Sequence, residues 1–534
     1  MKTHLTCFIT ISMILLGTST KGATFNVSTT QELREALLNA AQNGQSDTII
    51  LANGTYATTD DGGGTFIFLD NENYDLTIKG SSAENVVLNG GDVHQVIKIN
   101  VVGYDVLITL DSLSIINGYS ANSGGGGFYA KENLLIQNCQ ILENNSYGVD
   151  HYGGGFYVEG GSVTITGSNI SNNSASASSF YNYGGGFCVF GVGGQVNITD
   201  STISNNSTVN GHGGGFFIDM GQLTITDSII SSNSASNNYY GGGFYTFGDA
   251  TISNSIIEGN KAYYGGGFLA GGELIVINST IANNIADGTW QGSGGGFRSY
   301  GKTVIKNSII SDNSVNGPSD DNYGGGGFSS EGEVTLINSI IINNGIDEGI
   351  YLYAETNKIL NSVFLNNGTN HINGDIASTV TVYNNYLDES KIGIPAFKQN
   401  NINSGNLNFA NQARGDFHIG AYSVLIDAGT IDVAGVSFPE TDFDGYERIW
   451  GTAIDIGPFE FIDDDYDGLQ NYLEDKICTD PFDADSDDDG IMDGDEDCDN
   501  DGFTNAEEVQ CGSDPGNPGS KCVRMLPFLM LLLD

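Results

Sequence analysis

Basic residues and proline are what this chain has least of. Its 18 lysines and arginines stand against 65 aspartates and glutamates, a net charge of −47. That excludes the basic face that nucleic acid or an anionic membrane surface requires, and it favours cations. Only 8 prolines accompany 76 glycines, and no Gly-X-Y period connects them, so a collagen-like fibre is excluded and the glycine must serve turns. A bilayer-spanning run is missing too. The apolar stretch 5–16 falls short of the roughly 20 residues a transmembrane helix needs, so no transmembrane helix is expected. Preceded by Lys2 and His4 and followed by Gly17, Thr18 and Ser19, it reads instead as the centre of a secretory signal peptide, residues 1–23. Export permits disulfides. Cys478, Cys498, Cys511 and Cys522 crowd into the last segment, where pairs among the four are expected with connectivity open. Cys139 and Cys188 stand apart and read as small buried residues.

What the chain has in abundance is a repeat. The motif GGGF places Phe at 128, 156, 187, 216, 244, 268, 297 and 328, a period of just under thirty residues. Behind each lies a stretch of alternating Val, Ile and Thr with a common ending, as in residues 163–173 (VTITGSNISNN) and 223–233 (LTITDSIISSN). Alternation of β-branched residues between Gly, Asn and Ser turns means short strands, and no helical period appears here. A fixed period built of short strands means one coil per repeat, each burying its apolar side against the next. At ~4.8 Å per coil the marked repeats make a rod roughly 40 Å long. The expected fold is therefore all-β, a right-handed parallel β-helix. Stacking predicts an interior column of the GGGF phenylalanines. It also predicts a column of the closing asparagines, Asn144, Asn173, Asn206, Asn233, Asn260, Asn284, Asn313 and Asn343, whose amides bond along the stack. Residues 30–43 read as a short helix capped by Thr29 or Thr30, with Leu33, Leu37 and Ala40 on one face, placed to cover the open first coil.

These residues carry a resemblance. GGGF followed by I-x-x-N resembles the repeats of polymorphic outer-membrane proteins and related bacterial β-helix proteins. The start at residues 25–56 resembles the capped N-terminus of pectate-lyase-like β-helices. LIDAG at 425–429, TDFDGYERI at 441–449 and IDIGPFE at 454–460 resemble the bacterial choice-of-anchor Q region. The likeness implies a β-helix over 24–424 and a C-terminal cap over 425–462. It does not imply self-export, since the residues after 460 are too few for a membrane barrel.

A different chemistry begins at residue 463. Asp463, Asp465, Asp467, Gly468, Asn471 and Glu474 occupy positions 1, 3, 5, 6, 9 and 12 of a twelve-residue loop. Asp485, Asp487, Asp489, Gly490, Asp493 and Glu496 repeat that spacing, as do Asp497, Asp499, Asp501, Gly502, Asn505 and Glu508. A hard cation that wants six to eight oxygens needs this pattern: converging acids, a glycine for the sharp turn, a backbone carbonyl at position 7 and a bidentate Glu at 12. Position 7 is Leu469, Ile491 and Phe503. Ca²⁺ is the expected cofactor over 463–522, at affinities of ~10⁻⁴–10⁻³ M. The loops resemble thrombospondin type 3-like repeats, and helix-flanked EF-hands are disfavoured because the second and third loops abut. The apolar residues 523–534 are too short to span a bilayer and read as an export or anchoring signal or as a docking strand.

Two functions remain open on sequence. One is adhesion, matrix contact or glycan binding by a secreted or cell-surface protein. The other is a polysaccharide lyase or glycoside hydrolase. A lyase needs a base beside acids on the coil face; Arg298 reads as an outward, solvated side chain, and Arg448 as a structural ion pair with Asp444 or Asp455 closing the stack. The histidines show no metal or triad spacing. Tyr152, Tyr183, His212, Tyr240, Tyr264 and Tyr323 precede the glycine runs and should align on one turn, either as a packing ladder or as a surface on which sugar rings stack.

Overall fold

A computed structural model describes residues 22–522, apart from 71, 102–104, 122–123, 149–151, 178–181, 192–193, 289–293, 317–323, 346–347, 512 and 521. Most of the expected signal peptide, the 523–534 tail and Tyr323 lie outside the described residues. Coil follows coil from the first strand, Thr24–Val27, to Ala396–Gln399, and every pairing between coils is parallel. A typical coil runs Phe128–Lys131, Asn133–Gln137, Gln140–Leu142 and Asn145–Gly148, and its four strands belong to four different sheets. These sheets hold 12, 15, 12 and 8 strands among the described residues, so the molecule is a parallel β-helix. Its sense is right-handed by the rule for parallel crossovers.

The alternating residues produce this because one face of each strand looks inward. In Val163–Thr166, Val163 and Ile165 are buried and the two threonines lie partly exposed. The GGGF phenylalanines from Phe128 to Phe328 form one buried column, with ring centroids 4.7–5.0 Å apart and nearly parallel planes. That spacing is the strand separation itself. The glycines before them are required by contact: a Cβ at Gly215 would collide with the carbonyl oxygen of Gly243 in the next coil.

Two polar ladders tie the coils together. In the first, each buried asparagine accepts from the backbone N–H and the side-chain amide of the asparagine one coil before it, as Asn233 Oδ1 does from Asn206 N and Nδ2, both at 3.0 Å. The ladder runs from Asn144 to Asn367. Its member in the eighth repeat is Asn344, not Asn343. Asn343 sits one residue earlier, at φ 55° in the left-handed corner, and points outward to Asp312. The second ladder was not expected: Ser168, Ser201, Ser228, Ser255, Ser279, Ser308, Ser339 and Ser362 each accept from the backbone N–H of the residue one coil before. Cys139 starts that column; it is buried and its thiol is pushed up to about 12, chiefly by burial.

At the N-terminal end α1 (Thr30–Ala40) is capped by Thr29, whose Oγ1 accepts from Glu32 N, and buries Leu33, Ala36, Leu37 and Ala40. At the other end the parallel stack gives way to an antiparallel pair, Phe409–Asn411 with Asp416–Ile419. Residues 425–462 follow the hairpin. They lie along the flank of the stack, where Leu425, Ile456, Phe459 and Phe461 pack on Ile309, Ile340, Ile342 and Val363. Ile309, Ile340 and Val363 stand in the outward column that carries Asn169, Thr202 and the exposed Ile229 and Ile256 in earlier coils, and Ile342 in the column of Ser171 and Ser204, so burial of these positions marks the covered face. Corner asparagines clasp the segment's backbone: Asn307 donates to Thr441 O, Asn361 to Thr430 O and Asn384 to Ala428 O. The buried Arg448 pairs with Glu460 at 3.1 Å rather than with Asp444 or Asp455, and donates to the carbonyls of Asp455, Gly457 and Pro458.

Candidate metal centre

Each acidic loop folds by the same set of bonds. The glycine at position 6 donates to the carboxylate at position 1: Gly468 to Asp463, Gly490 to Asp485 and Gly502 to Asp497, at 2.8–3.1 Å. The residue at position 7 donates to the carboxylate at position 5, as Leu469 N to Asp467, Ile491 N to Asp489 and Phe503 N to Asp501. The three glycines have φ between 91° and 100°, a conformation that side chains strain to adopt. One oxygen of these acids is thus used to shape the loop, and others are left to converge. Asp463, Asp465 and Asp467 bring carboxylate oxygens within 4.8 Å of one another, and so do Asp485, Asp487 and Asp489, and Asp497, Asp499 and Asp501.

Such convergence of like charge favours a cation, and the buried atoms agree. Asp463 Oδ1, Asp465 Oδ2, Asp467 Oδ2, Asp499 Oδ2, Glu508 Oε2 and both carboxylate oxygens of Glu474 are buried with no hydrogen-bond donor. Burial and the surrounding aspartates push Glu474 up to about 8, and the same two causes bring Glu508 to about 7. A divalent ion would supply the missing charge, so these residues fit one.

Position 9 has another role. Asn471, Asp493 and Asn505 each accept from the backbone N–H of position 2, namely Asp464, Ser486 and Cys498. They close the loop by a side-chain bridge seven residues back. Each loop then enters a helical turn: α2 (Asn471–Glu474), a 3₁₀ turn at Asp493–Asp495 and α3 (Asn505–Cys511). Disulfides Cys478–Cys498 and Cys511–Cys522 hold the segment, pairing within the C-terminal four.

The aromatic residues before the glycine runs do align. Tyr152 stacks on Tyr183 at 5.5 Å, Tyr183 on His212 at 5.6 Å and His212 on Tyr240 at 4.8 Å, while Tyr264 follows at 5.1 Å, tilted. They cover an outer cluster of Cys188, Phe217, Tyr245 and Leu269. Burial lowers His212 to about 4, so its neutral ring accepts from Tyr240 N. The faces a sugar would use are occupied by neighbouring rings. Arg298 lies on the same side; it is not solvated but pairs with Glu331 at 2.6 Å and lies over the rings of Tyr300 and Tyr264.

Two features had no sequence signal. A cleft of about 800 Å³ separates the coil flank from the 409–417 hairpin and is lined by Asn283, Asp312, Asn343, Gln412 and Arg414. Nearby, His418 bridges Asp416 and Asp444, each at 2.6 Å, and stacks on Tyr472 of α2, whose hydroxyl donates to Asp416. This joins the hairpin, the flank segment and the first acidic loop. Burial alone would lower the His418 pKa, but its two carboxylates outweigh that and hold it above its ordinary value. Burial would raise Asp416, yet His418 and Tyr472 hold it at about 2. A raised histidine stabilises fully below its unfolded value of about 6.5 and loses that contribution as pH rises through the folded value. A lowered aspartate stabilises above about 3.9 and loses its contribution as pH falls through the folded value. The junction should therefore be tightest between about pH 4 and 6.5. Hydrogen exchange of the 441–447 backbone, corrected for intrinsic rates, should quicken above neutrality in the native chain and not further in His418→Gln. Equal protection at both pH values in the native chain would refute the assignment.

Fold and loops together define a parallel β-helix joined to a disulfide-held module of acidic cation-type loops. Residues 497–518 match the family model of the bacterial TSP3 repeat. No curated protein matches the chain. Among solved structures it is similar to pectate lyase Pel9A, at 16% identity and a TM-score of 0.31, over 79% of this chain and 90% of that one. It is also similar to the PL6 family alginate lyase AlyGC, at 14% identity and a TM-score of 0.39, over 79% of this chain and 60% of that one. The alginate lyase AlyF, in complex with G6, gives 14% and 0.32 over 84% and 95%. The coil architecture itself rests on the strand pairing described above. Among the described residues no helix is long and apolar enough to cross a membrane.

Proposed function

We propose that this chain is a secreted or surface-displayed β-helix that holds an extracellular glycan or matrix partner, with Ca²⁺ ordering its C-terminal module. The observation that carries the proposal is Glu474: its side chain is 1% exposed, both its oxygens lack a donor, and it stands among the aspartates of the first loop. Asp463, Asp465, Asp467, the Leu469 carbonyl and Glu474 would hold the first ion. Asp485, Asp487, Asp489 and Glu496 would hold the second, and Asp497, Asp499, Asp501 and Glu508 the third. Loops of this kind bind at ~10⁻⁴–10⁻³ M, which is useful where calcium is millimolar, outside the cell. The glycan side of the proposal rests on the 800 Å³ cleft, whose amide and guanidinium groups suit hydroxyls and a carboxylate, rather than on the stacked aromatic column.

The calcium test is thermal unfolding and limited proteolysis of the full chain with and without chelator. At about 5 mM Ca²⁺ each occupied site should stabilise the module by about 1–2 kcal/mol. Cleavage within 463–508 should appear on chelation while the coils stay protected; indifference to chelator would refute the calcium role. For the partner, Arg414→Ala should reduce retention on an immobilised glycan panel. Turnover of a uronic-acid polysaccharide panel by the native chain would replace binding with the lyase or hydrolase alternative. Against that alternative stand the pairing of Arg298 with Glu331 and the burial of Arg448 against Glu460.

A further inference from the structure

The three position-9 residues are alike in sequence spacing but not in chemistry: Asn471, Asp493, Asn505. The two asparagines use both ends of their amide. Asn471 donates back to Asp464 Oδ2, and Asn505 donates to the carbonyl of Asp493 in the loop before it. Asp493 has no N–H to donate. Its carboxylate accepts from Ser486 N and Oγ and also comes within 4.8 Å of carboxylate oxygens of Asp467 and Glu474, which belong to the first loop. Asp493 is fully buried and Glu474 nearly so, and neither oxygen of Glu474 meets a donor. Three carboxylates at this distance, two of them out of water, repel strongly unless a cation lies between them. The next residue shows that the approach is built in. A Cβ at Gly494 would lie 2.6 Å from the Asp467 carbonyl oxygen, so only glycine lets the second loop close on the first.

We propose that Asp493 completes the first loop's cation site, so that one Ca²⁺ is ligated by two loops at once and staples the first to the second. The inference rests on the calcium reading above and adds a ligand from outside the twelve-residue loop. Asp463, Asp465, Asp467, the Leu469 carbonyl and a bidentate Glu474 with Asp493 make about seven oxygens, within the range Ca²⁺ takes. The second loop contrasts with it: Asp487 and Asp489 are exposed, and among the described residues no acid of a neighbouring loop joins its cluster. The first site should fill before the second, and its ion should order both loops.

The chain carries its own reporter. Trp450 Nε1 donates to Asp464 in the first loop, and its ring lies 5.7 Å from that of Tyr466. Tb³⁺ bound in the first loop should therefore emit when tryptophan is excited, and Trp450→Phe should abolish most of that signal. In the full chain, Asp493→Asn should raise the Tb³⁺ concentration for half-maximal emission at least tenfold, because the neutral amide still accepts from Ser486 but no longer draws the ion. Glu474→Gln should raise it as well, and the double variant should raise it further than either single change, since each removes a separate ligand of the same ion. Ca²⁺ should displace the Tb³⁺ in each case. Unchanged half-saturation in Asp493→Asn, with Ca²⁺ still protecting 463–508 from protease, would overturn the staple and leave the calcium reading standing. An absence of sensitised emission together with no Ca²⁺ protection in the native chain would overturn both. Free-thiol titration of Asp493→Asn, showing the two disulfides formed, separates lost ligation from a module that fails to fold.

Discussion

Asn233→Ala is expected to destabilise the β-helix by roughly 3–5 kcal/mol. The Asn233 side chain makes four buried bonds. Its oxygen accepts from Asn206 N and Nδ2, and its amide donates to Ile203 O at 2.9 Å and to Asn260 Oδ1 at 3.0 Å. Alanine removes all four and strands the Asn206 N–H and the Ile203 carbonyl in a place water does not reach, each at about 1–3 kcal/mol. Because coils contact only their neighbours, the loss should show as local opening between the coils of Asn206 and Asn260, seen as faster hydrogen exchange there. A paired comparison sharpens the test. Asn344→Ala should cost a similar amount, whereas Asn343→Gly should stay within about 0.5 kcal/mol, because glycine suits its left-handed φ. Equal effects at 343 and 344 would contradict the ladder.

The second large effect is expected at Phe216→Ala, about 3–5 kcal/mol measured by urea unfolding. Phe216 stacks at 4.7 Å on Phe187 and at 5.0 Å on Phe244 and is fully buried. Removing its ring opens a hole that neither neighbour can fill, since each is held by its own coil's GGG turn. Phe216→Leu should recover more than half of the loss by restoring volume without the stacking. A loss below about 1 kcal/mol for alanine would mean that the coils repack, against the rigid column seen here.

Both predictions concern columns that the sequence made readable. Phe and Asn recur once per coil through the eight marked repeats, so they stand out as a repeat. The serine ladder was not readable in the same way. Ser168 or Ser228 looks like any turn serine, and only the 3.1 Å bonds from one coil to the next reveal its use. The slip between Asn343 and Asn344 has a related cause: two adjacent asparagines satisfy the same pattern, and backbone conformation alone decides which one faces inward. The cap's position depended on the outward isoleucines at 309, 340 and 342, which read as ordinary strand residues until the flank segment is laid against them. His418 escaped notice because Asp444 lies 26 residues further along the chain, so no local spacing announces the pair.

The acidic loops were the most legible part, since a cation imposes spacing on the chain directly. Even there the pattern overstated its own uniformity. Position 9 is a brace in all three loops, and in the second and third it also meets the loop before it. Ligand spacing describes a loop, while the packing of loops against one another is decided by residues such as Gly494 that the pattern leaves blank.

The asparagine ladder has an electrical consequence. From Asn144 to Asn344 every amide is oriented alike: its oxygen accepts from the coil before, one N–H donates to the asparagine of the coil after, and the other N–H turns back to a carbonyl of the coil before. Neighbouring β-strand dipoles contribute little along such an axis, but this file of side chains sums as peptide units do in an α-helix, each bond polarising the next. The rod is therefore a macroscopic dipole drawn in side chains. Its positive pole lies toward the C-terminal coils, after which the chain turns acidic.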